Sequence, residues 1–153
     1  MLKRSAGLLL YRIQEGRVEV LLVHPGGPFW AKKDQGAWSI PKGEIEAGED
    51  PFSTAKREFE EELGFAPQGK FTKLETVKQK GGKTIQAWAF EGNCEPSSVR
   101  SNTFVMEWPP RSGKEREFPE IDRAEFFEIR DAKQRINAAQ TELLSELEHL
   151  LAP

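Results

Sequence analysis

Three glutamates on one short segment are the residues in this sequence with the clearest capacity for chemistry. Glu58, Glu61 and Glu62 stand at i, i+3 and i+4, so on an α-helix their side chains share one face. Like charges at this spacing destabilise a helix by about 0.2–0.5 kcal/mol per pair. Carboxylate oxygens are preferred ligands of hard divalent cations, and a bound cation would offset the repulsion. The spacing therefore indicates a metal site, although a solvated acidic face produces the same pattern.

Residues on both sides of the glutamates predict the helix that would carry them. Asp50 followed by Pro51 is typical of a helix N-terminus, with an N-cap side chain and proline at the first helical position. Gly64 is suited to a C-terminal cap. Apolar residues recur at helical spacing between these ends, and they are Phe52, Ala55, Phe59 and Leu63. We therefore expect one helix that ends just after the glutamates.

The remaining segments predict a sheet covered by helices. The expected strands are residues 5–13, 18–24, 38–40, 71–77, 84–90, 103–108 and 123–129. Glycine and proline mark loops at residues 25–36 and 108–114. From residue 131 onward the spacing of apolar residues predicts a helix with a break near Asn137. This order indicates an α/β fold, and we expect a single domain over residues 1–153.

The stretch around the predicted helix, GEIEAGEDPFSTAKREFEEELGF, resembles the signature of the Nudix hydrolase family. That signature is G-x5-E-x7-R-E-U-x-E-E-x-G-U, where U is a bulky apolar residue. Every fixed position is filled at the right spacing, by Gly43, Glu49, Arg57, Glu58, Phe59, Glu61, Glu62, Gly64 and Phe65. The resemblance implies the Nudix fold, an α/β/α sandwich around a mixed β-sheet. It also implies Mg²⁺-dependent hydrolysis of a diphosphate linkage, with Mn²⁺ as a candidate substitute metal.

The resemblance also implies a role for each polar residue of this box. The carboxylates that match the family's metal ligands are Glu58, Glu61 and Glu62. One of them would position or deprotonate the attacking water, and family members differ on which residue is the base. The backbone carbonyl of Gly43 would join the metal shell. Glu49 would pair with Arg57 and brace the loop against the helix.

Candidates outside the box are less specific. Family members often add a ligand or base from a loop after the main helix, and Glu117 is favoured here over Glu115 and Glu120. The basic residues favoured for contacts with substrate phosphates are Lys42, Arg4 and Lys32. Each tryptophan could stack on a base or simply belong to the core.

The substrate is the least determined feature. The segment from Trp38 to Gly43 resembles the W-x-x-P-K-G opening of Nudix enzymes that act on diadenosine polyphosphates and diphosphoinositol phosphates. A subgroup tyrosine downstream of the box is missing, since position 80 is Lys80 and the only tyrosine is Tyr11. We expect a nucleoside diphosphate linked to another moiety, with dinucleoside polyphosphates favoured. The alternatives are a nucleoside triphosphate pyrophosphohydrolase, an ADP-sugar pyrophosphatase and a non-catalytic nucleotide-binding module.

The composition of the chain argues against two classes of binding partner, nucleic acid and membrane. Twenty-five acidic residues against 22 basic ones leave a formal charge of -3, which argues against duplex nucleic acid as the main partner. The apolar runs are too short to span a bilayer, so no membrane partner is expected. Cys94 is the single cysteine, which excludes an intrachain disulfide. The expected location is the cytoplasm, and the oligomeric state stays open.

Overall fold

A mixed β-sheet with helices on both faces forms the body of the molecule. The computed structural model describes residues 3–152. The strands are β1 (Arg4–Gln14), β2 (Arg17–Pro25), β3 (Lys42–Glu44), β4 (Phe71–Lys73), β5 (Val77–Lys78), β6 (Thr84–Glu91), β7 (Thr103–Glu107), β8 (Glu115–Pro119) and β9 (Ile121–Glu128). The helices are α1 (Pro51–Leu63), α2 (Ile129–Arg135) and α3 (Thr141–Leu151). Along residues 3–152, no helix is both long and apolar enough to cross a bilayer.

The order of the strands places β1 at the centre of the sheet. The main path is β4-β6-β1-β2-β9, and the short strands β3 and β5 pair with β1 and β6. β1 and β6 run parallel, with Leu8 opposite Trp88, whereas β1 and β2 form an antiparallel hairpin. β3 lies antiparallel to the start of β1, with Gly43 opposite Ala6. The sheet is therefore mixed, which confirms the predicted α/β class.

Alternate residues of the central strands pack into two separate hydrophobic cores, one on each face of the sheet. Leu8 and Leu10 of β1 pack with Phe59 of α1 on one face of the sheet. Leu9 packs with α2 and α3 on the other face, in a core that includes Leu143. Successive side chains of a strand point to opposite faces, so a strand covered on both sides is apolar at nearly every position. This arrangement confirms the predicted α/β/α sandwich and fixes α1 against β1.

Two predicted strands differ from the observed ones. Residues 38–40 were expected to form a strand, but they make only isolated bridges, from Ser39 to Val23 and from Trp38 to Ile136. Successive residues of this segment pair with different partners, β2 on one side and the end of α2 on the other, so no continuous strand ladder forms along it. The predicted strand 71–77 is split into β4 and β5, because the N–H of Glu75 turns away to donate to the Glu146 carboxylate at 2.7 Å.

The C-terminal half contains one strand that the sequence did not predict. β8 pairs with β7 to form an exposed two-stranded ribbon outside the main sheet. Its sequence, EREFP, lacks the apolar alternation of a half-buried strand, since the ribbon covers little core. The predicted helical break near Asn137 is confirmed, and the Asn137 side chain accepts the N–H of Ala139 at 3.0 Å.

Candidate active site

Both ends of α1 are defined by the residues that predicted them. The carboxylate of Asp50 accepts the backbone N–H of Ser53 at 3.0 Å. Gly64 has a φ of 85° and its N–H donates to the Glu60 carbonyl at 2.8 Å. A Cβ at this position would also lie 2.8 Å from the carbonyl oxygen of Arg100, so glycine is needed for two reasons. The glutamates therefore occupy a helix with fixed ends.

β3 brings the start of the box against the same helix. Gly43 lies on β3, and a Cβ there would overlap the carboxyl group of Glu58. The absence of a side chain lets the Glu58 carboxyl group rest on the backbone of β3. Gly7 of β1 plays a related part, because a Cβ on Gly7 would lie 2.7 Å from the Cβ of Lys42. Close packing at Gly43 and Gly7 thus sets the distances of β3 from α1 and from β1.

Arg57 links several carboxylates of the box. Its Nη2 atom donates to both oxygens of Glu49 at 3.1 Å, and its Nη1 lies 3.3 Å from Glu61 and 3.4 Å from Glu58. The backbone N–H of Glu46 also donates to Glu49 at 2.9 Å. That N–H, followed by Arg57, lowers the pKa of the Glu49 carboxyl below its usual value. Glu49 and Arg57 therefore join the loop before α1 to the middle of the helix.

Glu62 is a buried carboxylate among other charges. Its exposed fraction is 7%. Burial raises the pKa of Glu62 to about 8, and the negative charges of Glu58 and Glu120 act in the same direction. The charge of Lys42 and its backbone N–H, which donates to the Glu62 carboxylate, act against this rise. Glu62 is thus held beside Lys42 in a position where its ionisation is unfavourable.

Glu58 shows the same crowding of acidic groups. Burial raises the pKa of Glu58, and the charge of Glu61 raises it further, while Arg57 opposes the rise. Glu120 also raises it, as it does for Glu62. Glu120 follows the β7–β8 ribbon, and its backbone is fixed by hydrogen bonds to other segments. The structure therefore places a further carboxylate near Glu58 and Glu62 of α1.

Glu117, the residue favoured from the sequence for this position, lies elsewhere. It is exposed on β8, opposite Val105 in the ribbon. Neither Glu58 nor Glu62 has its pKa shifted by Glu117, whereas Glu120 shifts both. Of these two residues, the structure therefore places Glu120, and not Glu117, near Glu58 and Glu62. The only sequence signal for it is its place just before the last strand, a place that Glu115 and Glu117 nearly share.

The chemistry of these donors fits a hard divalent cation. Carboxylate oxygens crowded in a partly buried place repel each other, and a cation with oxygen ligands would offset that repulsion. In their present rotamers, no three acidic, histidine or cysteine side chains of residues 3–152 converge on one point. The Glu61 carboxylate is held by Arg57, so it would have to rotate to join Glu58 and Glu62 at a shared ion.

A cavity of about 250 Å³ opens next to Glu62, and we call it the central cavity. Its wall comprises Val23, Pro25, Trp30, Ala37, Ser39, Ile40, Lys42, Glu62, Gln79, Ile121, Asn137 and Gln140. Gln140 is 1% exposed, and its side-chain oxygen accepts the N–H of Ile40 at 3.0 Å. Trp30 is 40% exposed at this wall. The cavity therefore combines a buried acid, a lysine and an accessible aromatic ring.

The predicted phosphate-binding residues differ in their positions. Lys42 lines the central cavity, beside Glu62. Arg4 and Lys32 are exposed and do not line it. Arg4 contributes through its backbone, since its carbonyl accepts the N–H of Ile45 at 2.8 Å and so fixes the chain after β3. Of the three, only Lys42 has a position in the cavity wall.

His24 has a structural place beneath the loop that carries Trp30. The ring is fully buried, with its Nδ1 at 2.7 Å from the Asp122 carboxylate and its Nε2 at 2.6 Å from the Lys33 carbonyl. It also packs edge-on against Trp38, with ring centroids 5.1 Å apart. Both ring nitrogens are occupied, so His24 fastens the loop to β9.

Comparison with known proteins identifies the family. The NUDIX domain model matches residues 1–147 of this chain. The chain belongs to the NUDIX domain family. The Nudix resemblance drawn from the box is thereby confirmed.

Among solved structures, the Ap4A hydrolase of C. elegans in a binary complex superposes with a TM-score of 0.70 at 25% identity, covering 98% of each chain. The NUDIX domain of Shewanella oneidensis NrtR, complexed with ADP ribose, has a TM-score of 0.68 at 16% identity, covering 99% of this chain and 90% of that one. At that identity the second likeness concerns the Nudix fold alone.

Two relatives are similar in sequence. A bis(5'-nucleosyl)-tetraphosphatase (asymmetrical) of Caenorhabditis elegans is 37% identical over 100 residues, which cover 65% of this chain and 62% of that protein. An RNA pyrophosphohydrolase of Alkalilimnicola ehrlichii is 44% identical over 52 residues, which cover 33% of this chain and 29% of that protein. The similarity therefore spans less than two thirds of the length of either relative.

Proposed function

We propose that this Nudix protein hydrolyses a diphosphate linkage, using a divalent cation bound by Glu58, Glu61 and Glu62 with Glu120 beside them. The observation that carries the proposal is the environment of Glu62. This carboxylate is buried in the wall of the central cavity, next to Lys42, and its pKa is raised to about 8. Such crowding of acids destabilises a protein unless a cation offsets it. We propose Mg²⁺ as the cation, with Mn²⁺ as a substitute.

A bound cation would attract the diphosphate oxygens and stabilise the charge that builds on the leaving phosphate. The protein's own side chains would position the attacking water and accept its proton. Water attacks one phosphorus, the bond from that phosphorus to the bridging oxygen breaks, and a carboxylate accepts the proton of the water. We propose that this base is one of the carboxylates of α1. Lys42 contributes a positive charge to a substrate phosphate in the cavity.

The positions of the other box residues support this arrangement. Arg57 and Glu49 hold the loop before α1 to the helix, so the carboxylates have a fixed backbone. We propose that the Gly43 carbonyl joins the metal shell, since Gly43 contacts the Glu58 carboxyl group. Preorganised charges of this kind supply much of the catalysis in phosphoryl transfer. All box glutamates are present, which favours hydrolysis over a binding module.

Dinucleoside polyphosphates are the substrates we favour. Support comes from the similarity to the C. elegans bis(5'-nucleosyl)-tetraphosphatase and from the likeness to the C. elegans Ap4A hydrolase. The exposed ring of Trp30 at the cavity offers a surface on which a base could stack. A nucleoside triphosphate or an ADP-sugar remains the alternative. We also propose a cytoplasmic location, with which the single Cys94 is compatible.

A substrate screen in oxygen-18 water tests the proposal. Purified protein with Mg²⁺ or Mn²⁺ is mixed with diadenosine tetraphosphate, ATP or ADP-ribose, and the products are resolved by mass spectrometry. We expect diphosphate cleavage with one labelled phosphate, and no turnover in chelator. Glu58→Gln and Glu62→Gln should lower kcat by about 10²-fold or more, whereas Glu60→Gln, an exposed neighbour, should not. Binding without turnover of every substrate would instead support a nucleotide-binding module.

A further inference from the structure

The buried ring of His24 faces a hydrogen-bond acceptor at each of its two nitrogens. Its Nδ1 lies 2.7 Å from a carboxylate oxygen of Asp122, and its Nε2 lies 2.6 Å from the backbone carbonyl oxygen of Lys33. A carbonyl and an ionised carboxylate can only accept hydrogen bonds, whereas a neutral imidazole has one donor nitrogen and one acceptor nitrogen. A neutral ring would therefore direct a lone pair at one of these two oxygens, so the contacts require one additional proton.

The surroundings of the two groups assign this proton to the ring. The Asp122 side chain is 31% exposed, and its Oδ1 lies 4.0 Å from the guanidinium Nε of Arg123. Solvent and a nearby cation both stabilise an ionised carboxylate. The His24 ring is fully buried, and a buried cation is tolerated where it is paired and hydrogen-bonded, as this ring is at both nitrogens. The contacts therefore favour an imidazolium paired with the Asp122 carboxylate.

Asp122 supplies the counter-charge of the ring among several charged neighbours. The other charged side chains on the elements around the ring are Arg123 of β9, Lys33 and Asp34 of the loop after β2, and Arg135 of α2. Asp34 and Arg135 pair with each other at 2.9 Å. Along residues 3–152, Asp122 is the only charged side chain that hydrogen-bonds to the His24 ring. The charge of the ring therefore depends on Asp122.

The contact with Lys33 bears on the loop that carries Trp30 to the central cavity. This loop spans residues 26–36, and the exposed Trp30 forms part of the cavity wall. The carbonyl of Trp30 accepts the N–H of Lys33 at 3.0 Å. Lys33 is thus held by the His24 ring through its carbonyl and by Trp30 through its N–H. The ring therefore fixes the backbone that follows Trp30.

We propose that His24 is an imidazolium held between Asp122 and Lys33. In this state it is a positioning residue, and it keeps Trp30 at the central cavity only while both ring nitrogens carry a hydrogen. Loss of the Nδ1 proton to solvent would leave a lone pair facing the Asp122 carboxylate at 2.7 Å. Two acceptors at this distance repel, so the ring would turn away and the loop would loosen as the pH rises. The proposal goes beyond the proposed hydrolysis, since it concerns the wall of the cavity whatever reaction takes place there.

Nitrogen-15 NMR of the histidine rings tests the charge of His24. The chain has two histidines, and the second, His149, is exposed on α3 and serves as an internal control. At about pH 7.5, where an ordinary exposed histidine is mostly neutral, we expect both ring nitrogens of His24 to carry hydrogen. The variant His149→Gln assigns the signals. A neutral His24 ring at that pH, with one bare nitrogen, would overturn the proposal.

Trypsin cleavage after Lys33 tests the position of the loop. The Lys33 carbonyl is the group that trypsin attacks, and His24 holds it, so the rate of cleavage reports the open loop. Asp122→Asn keeps the shape of the side chain, and its amide can donate to a neutral Nδ1, so this variant needs no additional proton. At about pH 9.5 we expect the wild type to be cleaved about tenfold or more faster than Asp122→Asn, and at about pH 7.5 equally fast.

Comparing the proteins at one pH removes the pH dependence of trypsin itself. The matched control is Glu125→Gln, an exposed acid on the same strand, which should follow the wild type at both pH values. Equal cleavage of the wild type and Asp122→Asn at about pH 9.5 would refute the positioning role. Faster cleavage of Asp122→Asn at about pH 7.5 would refute it as well.

Kinetics connect the loop to the proposed hydrolysis. With diadenosine tetraphosphate, we expect KM of the wild type to rise between about pH 7.5 and about pH 9.5 by about fivefold more than KM of Asp122→Asn, because stacking of a base on Trp30 is lost. The change in kcat should be the same in both proteins. An equal change in KM would contradict the positioning of Trp30 by His24. If no substrate is hydrolysed, the proposed hydrolysis fails, and NMR and proteolysis still decide the proposal for His24.

Discussion

Replacing Glu62 with glutamine should stabilise the metal-free protein at neutral and alkaline pH while it abolishes metal-dependent turnover. Glu62 is 7% exposed, and burial together with Glu58 opposes its ionisation. In the unfolded chain its carboxyl group has an ordinary pKa of 4.5, whereas in the folded protein the pKa is about 8. Between these values the folded protein holds a proton that the unfolded chain releases. The contribution of Glu62 to stability is therefore most favourable below about pH 4.5, and it falls as the pH rises toward about 8.

The size of this effect follows from the interval between the two pKa values. Each pH unit in the interval costs about 1.4 kcal/mol, so the full interval corresponds to an upper limit of about 5 kcal/mol. Glu62 lines the central cavity, so solvent there relieves part of the cost of its ionisation, and we expect about 1–3 kcal/mol. Glutamine has nearly the same shape and no charge, so it keeps the packing and removes the dependence on pH.

Urea unfolding in chelator at about pH 5 and about pH 8 measures the effect. We expect the wild type to lose stability between the two pH values and Glu62→Gln to lose about 1–3 kcal/mol less. Glu60→Gln, an exposed change on the same helix, should follow the wild type. Addition of Mg²⁺ should raise the melting temperature of the wild type and of Glu60→Gln, but have little effect on Glu62→Gln.

One result would refute this reasoning. If Glu62→Gln and the wild type lose the same stability between the two pH values, the crowding of Glu62 is not a source of instability. A cation would then not be needed to offset the crowding, whatever the activity of the variant.

Three further substitutions test the surroundings of Glu62. Gly43→Ala places a Cβ on the Glu58 carboxyl group, so we expect a stability loss of about 1–3 kcal/mol in urea unfolding and a clear fall in kcat. Glu120→Gln should lower the affinity for Mn²⁺ in calorimetry, whereas Glu117→Gln, on the exposed ribbon, should not; equal effects would contradict the assignment. Arg57→Lys keeps the charge but loses the fork that joins several carboxylates, so kcat should fall about tenfold while thermal unfolding shows a change within about 1 kcal/mol.

The helix at the centre of the site could be predicted because its signals are local. Asp50, Pro51 and Gly64 define its ends through contacts within a few residues. The three glutamates share a face because of helical geometry alone. The β1–β2 hairpin is predictable for a similar reason, since its apolar strands are joined by a short turn. Elements of this kind depend on near neighbours in the chain, which the sequence displays directly.

Other elements were not predictable from local signals. Residues 38–40 have the apolar composition of a strand, but their backbone partners belong to β2 and to the end of α2. β8 has the composition of an exposed loop, and it is a strand only because β7 pairs with it. Pairing between distant segments overrides local preference in both cases.

The sequence by itself determined the family, the α/β class and the acidic helix, because each depends on spacing along the chain. The tertiary structure decided which further residues join the site. Glu120 lies beside Glu62 only after the ribbon and β9 are in place, and Lys42 meets Glu62 only because β3 packs against α1. Distances between residues far apart in sequence depend on how the helices and strands pack, and that packing exists only in the complete folded domain.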